Sequence, residues 1–432
     1  MSNMQVSPNT TSTNTHAGNY SNAASEESKK TQPSQNYGEG SSANQSPGPT
    51  RKWHDRNNDG VTSLTYEYPT LKNPLPGQKV YNPADSVRGN ALTRVMQEWS
   101  DVANVTFTES KSRGEGHLHI NHTPDSGVPG ATPSEESVSM GSGRFRDDIY
   151  RHSGLRNIGS ALGIPTTPTT AEGNDTSDVS VMGNQGSRMD SYGRKDWKYQ
   201  PTLLMKDMEM AQQLYGANYN TRNTDTVYGF NSNADRDHYR IQEGTTSATN
   251  EFSIWDGGGN DTLDFSGFGQ DQLLNLSAGS FSNVGGGVKN VSIAKGVTIE
   301  NAKGGTGNDK IIGNQANNVI VGGGGQDQLW GVGGNNTFKY NQVSDSTHDK
   351  ADCLMDFVSG KDKIDITEAM TKAGVTPRLV QNFTGTPGDA VMGFHPTDKL
   401  YYLAIDTSGN GKTDFLIKST KPIDPRDIVM PH

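Results

Sequence analysis

The chain has 432 residues, room for two or three domains. Its balance is acidic, with 48 Asp and Glu against 38 Lys and Arg, which argues against nucleic acid as a partner. A single cysteine, Cys353, leaves no internal disulfide, and no apolar run is long enough to span a membrane.

Residues 1 to 50 are Ser, Asn, Thr, Gly and Gln with hardly any apolar residue. Such a segment cannot bury enough surface to offset its ordering entropy, so it reads as a disordered polar segment, with a removable leader as one use. It contains no basic region followed by an apolar one, so a Sec-type signal peptide is not expected there.

Order is expected from Trp53. Asp55 to Gly60, DRNNDG, spells the first half of a calcium loop without the closing glutamate. A polar turn before the alternating strand SLTYEYPTL is the plainer reading. From Asp85 a helix followed by a strand is predicted, with Leu92, Val95, Met96 and Trp99 on one helical face and Val105 and Phe107 alternating after it. GEGHLHINH sets His117 and His119 on one face of a strand with His122 just beyond, either a metal site or surface histidines on an edge strand. Residues 150 to 164 read as a helix stopped by Gly163 and Pro165. Residues 201 to 218 read as an amphipathic helix with Leu204, Met208, Ala211 and Leu214 inward.

The chain then turns to β, with an isolated GGGND turn ending at Asp261. Residues 304 to 339 follow as four blocks of nine: GGTGNDKII, GNQANNVIV, GGGGQDQLW, GVGGNNTFK. Glycine opens each block. The sixth position is Asp309, Asn318, Asp327 and Asn336, and the eighth is Ile311, Ile320, Leu329 and Phe338. This nonapeptide period marks a calcium-binding parallel β-roll, in which the eighth residue points inward and stacked turns share one core. Two blocks make one turn, so Asp309 stacks on Asp327 and Asn318 on Asn336. Calcium prefers charged oxygen ligands, so stronger sites are expected on the aspartate side and weak or empty ones on the amide side. After the roll, short alternating strands suggest a β-sandwich-like C-terminal region. DTSGNGKTDFLI from Asp406 is read as a hairpin turn rather than a partial calcium loop.

From about Trp53 to its end the chain resembles the serralysin family, secreted zinc metalloproteases with a C-terminal calcium β-roll. The matching stretches are EWSDVANVTFTE, NIGSALGI, SVM, QQLYGAN, DTVYGFNSN, WDGGGNDTLDFSG, NVSIAKGVTIENAKGG and DFLIK. The resemblance implies an α+β chain: a metzincin-like protease-type domain at 51–220, then linker, calcium roll and secretion region at 221–432. The family's chemistry lies in H-E-x-x-H-x-x-G-x-x-H, three zinc ligands and a general-base glutamate. Aligning its apolar and glycine frame on Ile158, Gly159, Ala161, Leu162, Gly163 and Ile164 puts the first histidine at Arg156 and the glutamate at Asn157. The second histidine falls at Ser160 and the third at Thr166. Met182 matches the family's Met-turn, and the tyrosine two residues on is Asn184. His152 lies four residues before Arg156 without the rest of a motif around it.

The calcium residues match better. By resemblance one site uses backbone oxygens around Arg222, Thr224 and Thr226 with Asp256, Gly258 and Asp261. A second uses Asp261, Thr298 and Glu300, and the roll uses Gly304, Thr306, Asp309, Gly322, Gly324 and Asp327. Asp427, Ile428, Val429 and Met430 match the family's C-terminal secretion signal, extended here by Pro431 and His432. The expectation is a calcium-binding pseudoprotease without zinc, exported by a type I apparatus of a Gram-negative bacterium, that binds a protease inhibitor or a host protein. Two alternatives stand beside it: an active zinc protease with relocated ligands among His117, His119, His122 and His152, and an adhesive module of an extracellular matrix.

Overall fold

The computed structural model describes residues 52–67, 86–110, 117–123, 137–141, 147–165, 180–183, 187–189, 195–197, 200–247 and 251–431. Residues 1–50, and with them the expected polar leader, lie outside these, as do Thr166 and Asn184.

The first part is a parallel sheet covered by helices. The elements of that sheet and its helices, in chain order, are β1 (Thr62–Glu67), α1 (Ser86–Val102), β2 (Val105–Glu109), β3 (Leu118–Thr123), β4 (Ser137–Gly141), α2 (Asp147–Ala161) and α3 (Met205–Tyr215), with a separate short strand pair, Ser187–Met189 and Lys195–Trp197, between α2 and α3. The strands lie in the order β2-β1-β3-β4, every neighbouring pair parallel. Parallel neighbours need a crossover, and α1 supplies the one between β1 and β2. The helical stripe predicted for α1 is its core face: Leu92, Val95, Met96 and Trp99 are all buried. Phe107 stays half-exposed, so the alternation of β2 is weaker than its spelling suggests. α2 closes through Gly163, which takes φ +83°, a left-handed conformation that favours glycine. α3 begins four residues later than its amphipathic pattern, because Pro201 to Leu204 run in before the first turn.

From Val227 the chain winds two long sheets, beside a small one of Phe281–Ser282, Val291–Ile293 and Phe252–Ile254. One is built in the order Ile428–Val429, Lys363–Asp365, Thr337–Lys339, Val319–Val321, Asn301–Lys303, Thr262–Asp264, Val227–Gly229. The other begins Leu273–Asn275, Lys310–Ile312, Gln328–Trp330, Asp352–Leu354. Within the repeats the register advances by eighteen residues, Asn301 opposite Val319 opposite Thr337, and Lys310 opposite Gln328. Ile311, Ile320, Leu329 and Phe338 are buried between the sheets. Each three-residue strand has one inward side chain, so no turn has a core of its own and stacking is what stabilises it.

The strands after the repeats extend these same sheets rather than forming a separate sandwich. Phe415–Ser419 pairs in parallel with Asp352–Leu354 and continues antiparallel into Leu400–Asp406 and Asp389–His395. Ile428–Val429 joins the other sheet against Lys363–Asp365. The turn at Asp406 is the hairpin connection expected, with Gly409 and Gly411 both at positive φ.

The two parts meet where α1 ends. Asn104 N–H donates to Gly216 O, Asn218 N–H donates to Val102 O, and Asp101 receives a bidentate bond from Arg236. Deeper in the same contact lie Glu98 and His238, both buried, with Arg151 beside them. Burial pushes the Glu98 carboxyl up to about 7 against the pull of Arg151, and burial pushes His238 down to about 3. A carboxyl raised on folding contributes stability that is full below its unfolded pKa and is lost as pH rises through the folded value. Glu98 therefore favours the fold below about pH 4.5 and loses that contribution by about pH 7. His238, depressed on folding, works in the opposite sense over the lower part of this range, so the difference between wild type and Glu98→Gln isolates the glutamate. In saturating calcium the variant gains stability on the wild type between pH 5 and 8, by on the order of 3 kcal/mol at most, as read from urea denaturation.

Candidate functional site

The helix face implied for zinc carries none of the required groups. Arg156, Asn157 and Ser160 sit on the half-exposed side of α2, one turn apart as i, i+1 and i+4. The opposite side keeps a close-packed frame. A Cβ on Gly159 would stand 2.7 Å from Trp99 Cζ2 and 2.9 Å from Met182 Sδ, so only glycine lets α2 descend onto α1 and the turn at Met182.

That turn is held from two sides by opposite charges. Asp207 of α3, fully buried, accepts from Val181 N–H at 2.8 Å and from the Ser180 hydroxyl at 2.6 Å. From the other side Arg156 Nη1 donates to the carbonyls of Val181 at 2.7 Å and Gly183 at 2.5 Å. Burial raises the Asp207 carboxyl above its ordinary range, and burial lowers the Arg156 guanidinium below its own. A guanidinium keeps its charge at any physiological pH, so a fixed cation lies at the turn.

The remaining histidines are engaged elsewhere. His117 Nδ1 accepts from Thr65 N–H at 3.0 Å, and its ring lies edge-on to Trp53. His119 contacts the buried Glu67 carboxylate across the sheet. His122 lies further along the strand β3. His152 is buried against the main chain of Gln200. Among the described residues no three His, Cys, Asp or Glu side chains come together as a metal cluster.

The calcium positions assemble differently, as carboxylates folded back among main-chain carbonyls. In the linker, the 257–259 turn lies against 219–224 so closely that a Cβ on Gly257 would be 2.3 Å from Tyr219 O and 2.5 Å from Thr221 O. Gly258 has φ +133°, and Arg222 takes φ +47°. Asp256 Oδ1 accepts from Gly258 N–H, and Asp261 Oδ1 accepts from Thr226 N–H. Glu300 accepts from Asp261 N–H at 2.8 Å, which brings the second implied site beside the first, while Thr298 is exposed at its rim. Asp261 Oδ2 is buried without a hydrogen-bond partner. Burial, with Asp256 and Glu300 nearby, pushes this carboxyl up to about 8.

The roll repeats the arrangement. Asp309 N–H donates to Asp327 Oδ1, and Asp327 N–H donates to Asp352 Oδ1, so each carboxylate caps the turn below. Gly304, Gly322 and their successors cannot carry side chains, because a Cβ on Gly304 would lie 2.3 Å from Gly322 O and 2.4 Å from Asp309 Oδ2. Thr306 and Gly324 stack in successive turns. Asp327 Oδ2 and Asp352 Oδ2 are buried and unpartnered, and burial pushes Asp327 up to about 8 and Asp309 up to about 6. Unpaired carboxylate oxygens among carbonyls, in cradles that a single Cβ would fill, are a donor set for a hard, oxygen-seeking cation. These residues fit calcium.

The amide side closes on itself. Asn318 Nδ2 donates to Glu300 O, Asn336 Nδ2 donates to Gly333 O, and Asn318 N–H donates to Asn336 Oδ1. The amide nitrogens occupy hydrogen-bonding positions that a cation would take, and no side-chain oxygen of Asn318 or Asn336 is left over. The ladder also continues beyond the repeats. Asn336 N–H donates to Asp362 Oδ1, and Asp352 and Asp362 take the rung position in turns lengthened by inserted loops. Their triplets, Asp352-Cys353-Leu354 and Asp362-Lys363-Ile364, keep the Asp-x-apolar spelling outside the nine-residue period, and Asp362 keeps the glycine two residues before it, Gly360, a signal present in the sequence but missed there.

Residues 217–430 match the family model for the peptidase M10 serralysin C terminal. Over 431 aligned positions the chain is 40% identical to Metalloprotease AprA of Pseudomonas entomophila, covering 88% of this chain and 87% of that protein. It is 40% identical to Serralysin of Photorhabdus laumondii, covering 78% of each. Serralysin C of Dickeya chrysanthemi is 34% identical, with 85% of this chain and 84% of that one covered.

The asymmetry of the roll gives a paired test. Asp327→Asn removes a buried charge, so it raises the stability of the metal-free chain while reducing the stabilisation that added calcium provides. Asn318→Ala breaks a satisfied ladder and costs about 1–3 kcal/mol with or without calcium. Urea denaturation in calcium and in chelator reads both.

Proposed function

The chain belongs to the serralysin family, and from that premise we propose that it is a secreted, calcium-folded pseudoprotease that acts by binding. One observation carries the reading. At the helix face where the family places two zinc ligands and its general base, this chain has Arg156, Asn157 and Ser160, and Arg156 is bonded into the Met182 turn. A positive group fixed at that point opposes a second cation by direct repulsion. Neither asparagine nor serine can act as the general base that a hydrolytic water needs.

The N-terminal sheet and helices are then a metzincin-type domain that keeps its packing without its chemistry. Bound calcium would supply positive charge to the unpaired carboxylate oxygens of Asp261 and Asp327. This chain's part is to present those oxygens with carbonyls in glycine turns and to complete its core around them. Export by a type I apparatus through the C-terminal segment, and folding in the calcium outside, fit this design. A protease inhibitor that recognises the family's surface, or a host protein, is the partner such a scaffold would engage.

Purified protein folded in calcium with zinc present should give no chelator-sensitive hydrolysis of casein above buffer. Appreciable hydrolysis would overturn the reading. If that activity were also lost in His117→Ala, the metal ligands would have moved to His117 and the histidines that follow it.

A further inference from the structure

We propose that calcium loading of the linker turn and docking of α1 onto the linker are one coupled event, transmitted through Arg222 and Trp255. The inference rests on the reading that the linker turn takes calcium, and it is independent of whether the chain hydrolyses peptides.

Arg222 faces two ways. Its main chain, at φ +47°, belongs to the 219–224 segment, whose carbonyls pack against the glycine turn between Asp256 and Asp261. A residue with a side chain holds this left-handed conformation only when its surroundings support it. Its side chain points out of the turn and toward the other part of the molecule. Nε donates to Trp255 O at 2.9 Å, and Nη1 reaches Asp101 Oδ2 at 3.2 Å and Asp235 Oδ1 at 2.9 Å. The guanidinium carbon lies 5.1 Å from the Tyr239 ring centroid, and the side chain is only 5% exposed. Asp101 stands on the last turn of α1 and is itself shared with Arg236.

Trp255 makes a second connection of the same kind. It directly precedes Asp256, and its Nε1 donates to Asn218 O at 2.9 Å. Asn218 in turn donates through Nδ2 to Ser100 O at 2.7 Å, again at the end of α1. Both neighbours of the carboxylate turn are thus tied to the same helix end, one by a buried ion pair and one by a relay of hydrogen bonds.

Without a cation, the charges of Asp256 and Glu300 oppose charge on Asp261, which favours opening of the turn. Arg222 can then leave its left-handed conformation, and its guanidinium leaves Asp101. A buried carboxylate deprived of one of its two arginines is costly to keep in place, so α1 loosens. With the turn closed, both ties are set at the correct spacing. Coupling is reciprocal, so a docked α1 also tightens the hold of the turn on its cation. Before calcium is met, the N-terminal layer is released; afterwards it is clamped.

The test is hydrogen exchange of the full chain, followed by mass spectrometry across a calcium titration, in wild type, Asp101→Asn and Arg222→Gln. In wild type, peptides of α1 and of the 219–229 turn should gain protection at one shared calcium midpoint. In Asp101→Asn, which leaves the turn residues untouched, the midpoints of α1 and of the turn should move together to about tenfold higher calcium. Roll peptides within 301–339 should keep the wild-type midpoint. Arg222→Gln should shift in the same direction with the same roll control. Equal protection of α1 in chelator and in calcium would overturn the coupling. So would variants that move every midpoint together, or none. An absence of any calcium response in the roll would sink the calcium reading itself, and with it this inference.

Discussion

A carboxylate buried without a partner has to be answered, by protonation, by a cation or by unfolding, and the C-terminal half of this chain is built on a column of them. Asp309, Asp327 and Asp352 each use one oxygen to cap a neighbouring turn, and Asp327 and Asp352 are left with the other oxygen buried. Glycines bring main-chain carbonyls close to these groups, and the inward Ile311, Leu329 and Leu354 make the turns inseparable from one another. Each carboxylate therefore commits more than its own turn. On the opposite edge Asn314, Asn318 and Asn336 perform the capping role with neutral amides that also donate, so that edge can close without an ion. One roll thus contains an ion-requiring edge and an ion-independent edge, distinguished by Asp or Asn at a single repeat position.

The N-terminal half shows how a scaffold persists when its chemistry does not. The approach of α2 to α1 depends on Gly159 against Trp99 and Met182, and the Met182 turn depends on Asp207 beneath it. None of these residues needs a metal. Arg156 adds a second hold on the same turn by bonding its carbonyls. The packing frame and the catalytic groups lie on opposite faces of one helix, so the second can change while the first stays fixed.

Periodicity made the roll legible. A nine-residue spelling with glycine, a polar sixth residue and an apolar eighth leaves one way to stack, and the eighteen-residue register follows from it. The stripe of α1 was legible for the same reason. Other features were hidden because they depend on pairs far apart in the chain. Asp101 and Arg222 are 121 residues apart, and Glu98 meets His238 across a contact that no local pattern marks. His117 and His119 looked like one cluster in sequence, but their partners Thr65 and Glu67 assign them separate duties. Asp352 and Asp362 were hidden because inserted loops carry them out of the nine-residue period, and the turn before Asp352 has no glycine. The C-terminal strands looked like a separate region because alternation reports burial of one face and not which sheet a strand will join.

The most direct test of this account is the metal content of protein folded in calcium and zinc together and then dialysed extensively, measured by plasma mass spectrometry. The account predicts several calcium ions per chain and no stoichiometric zinc. One zinc ion per chain would contradict it.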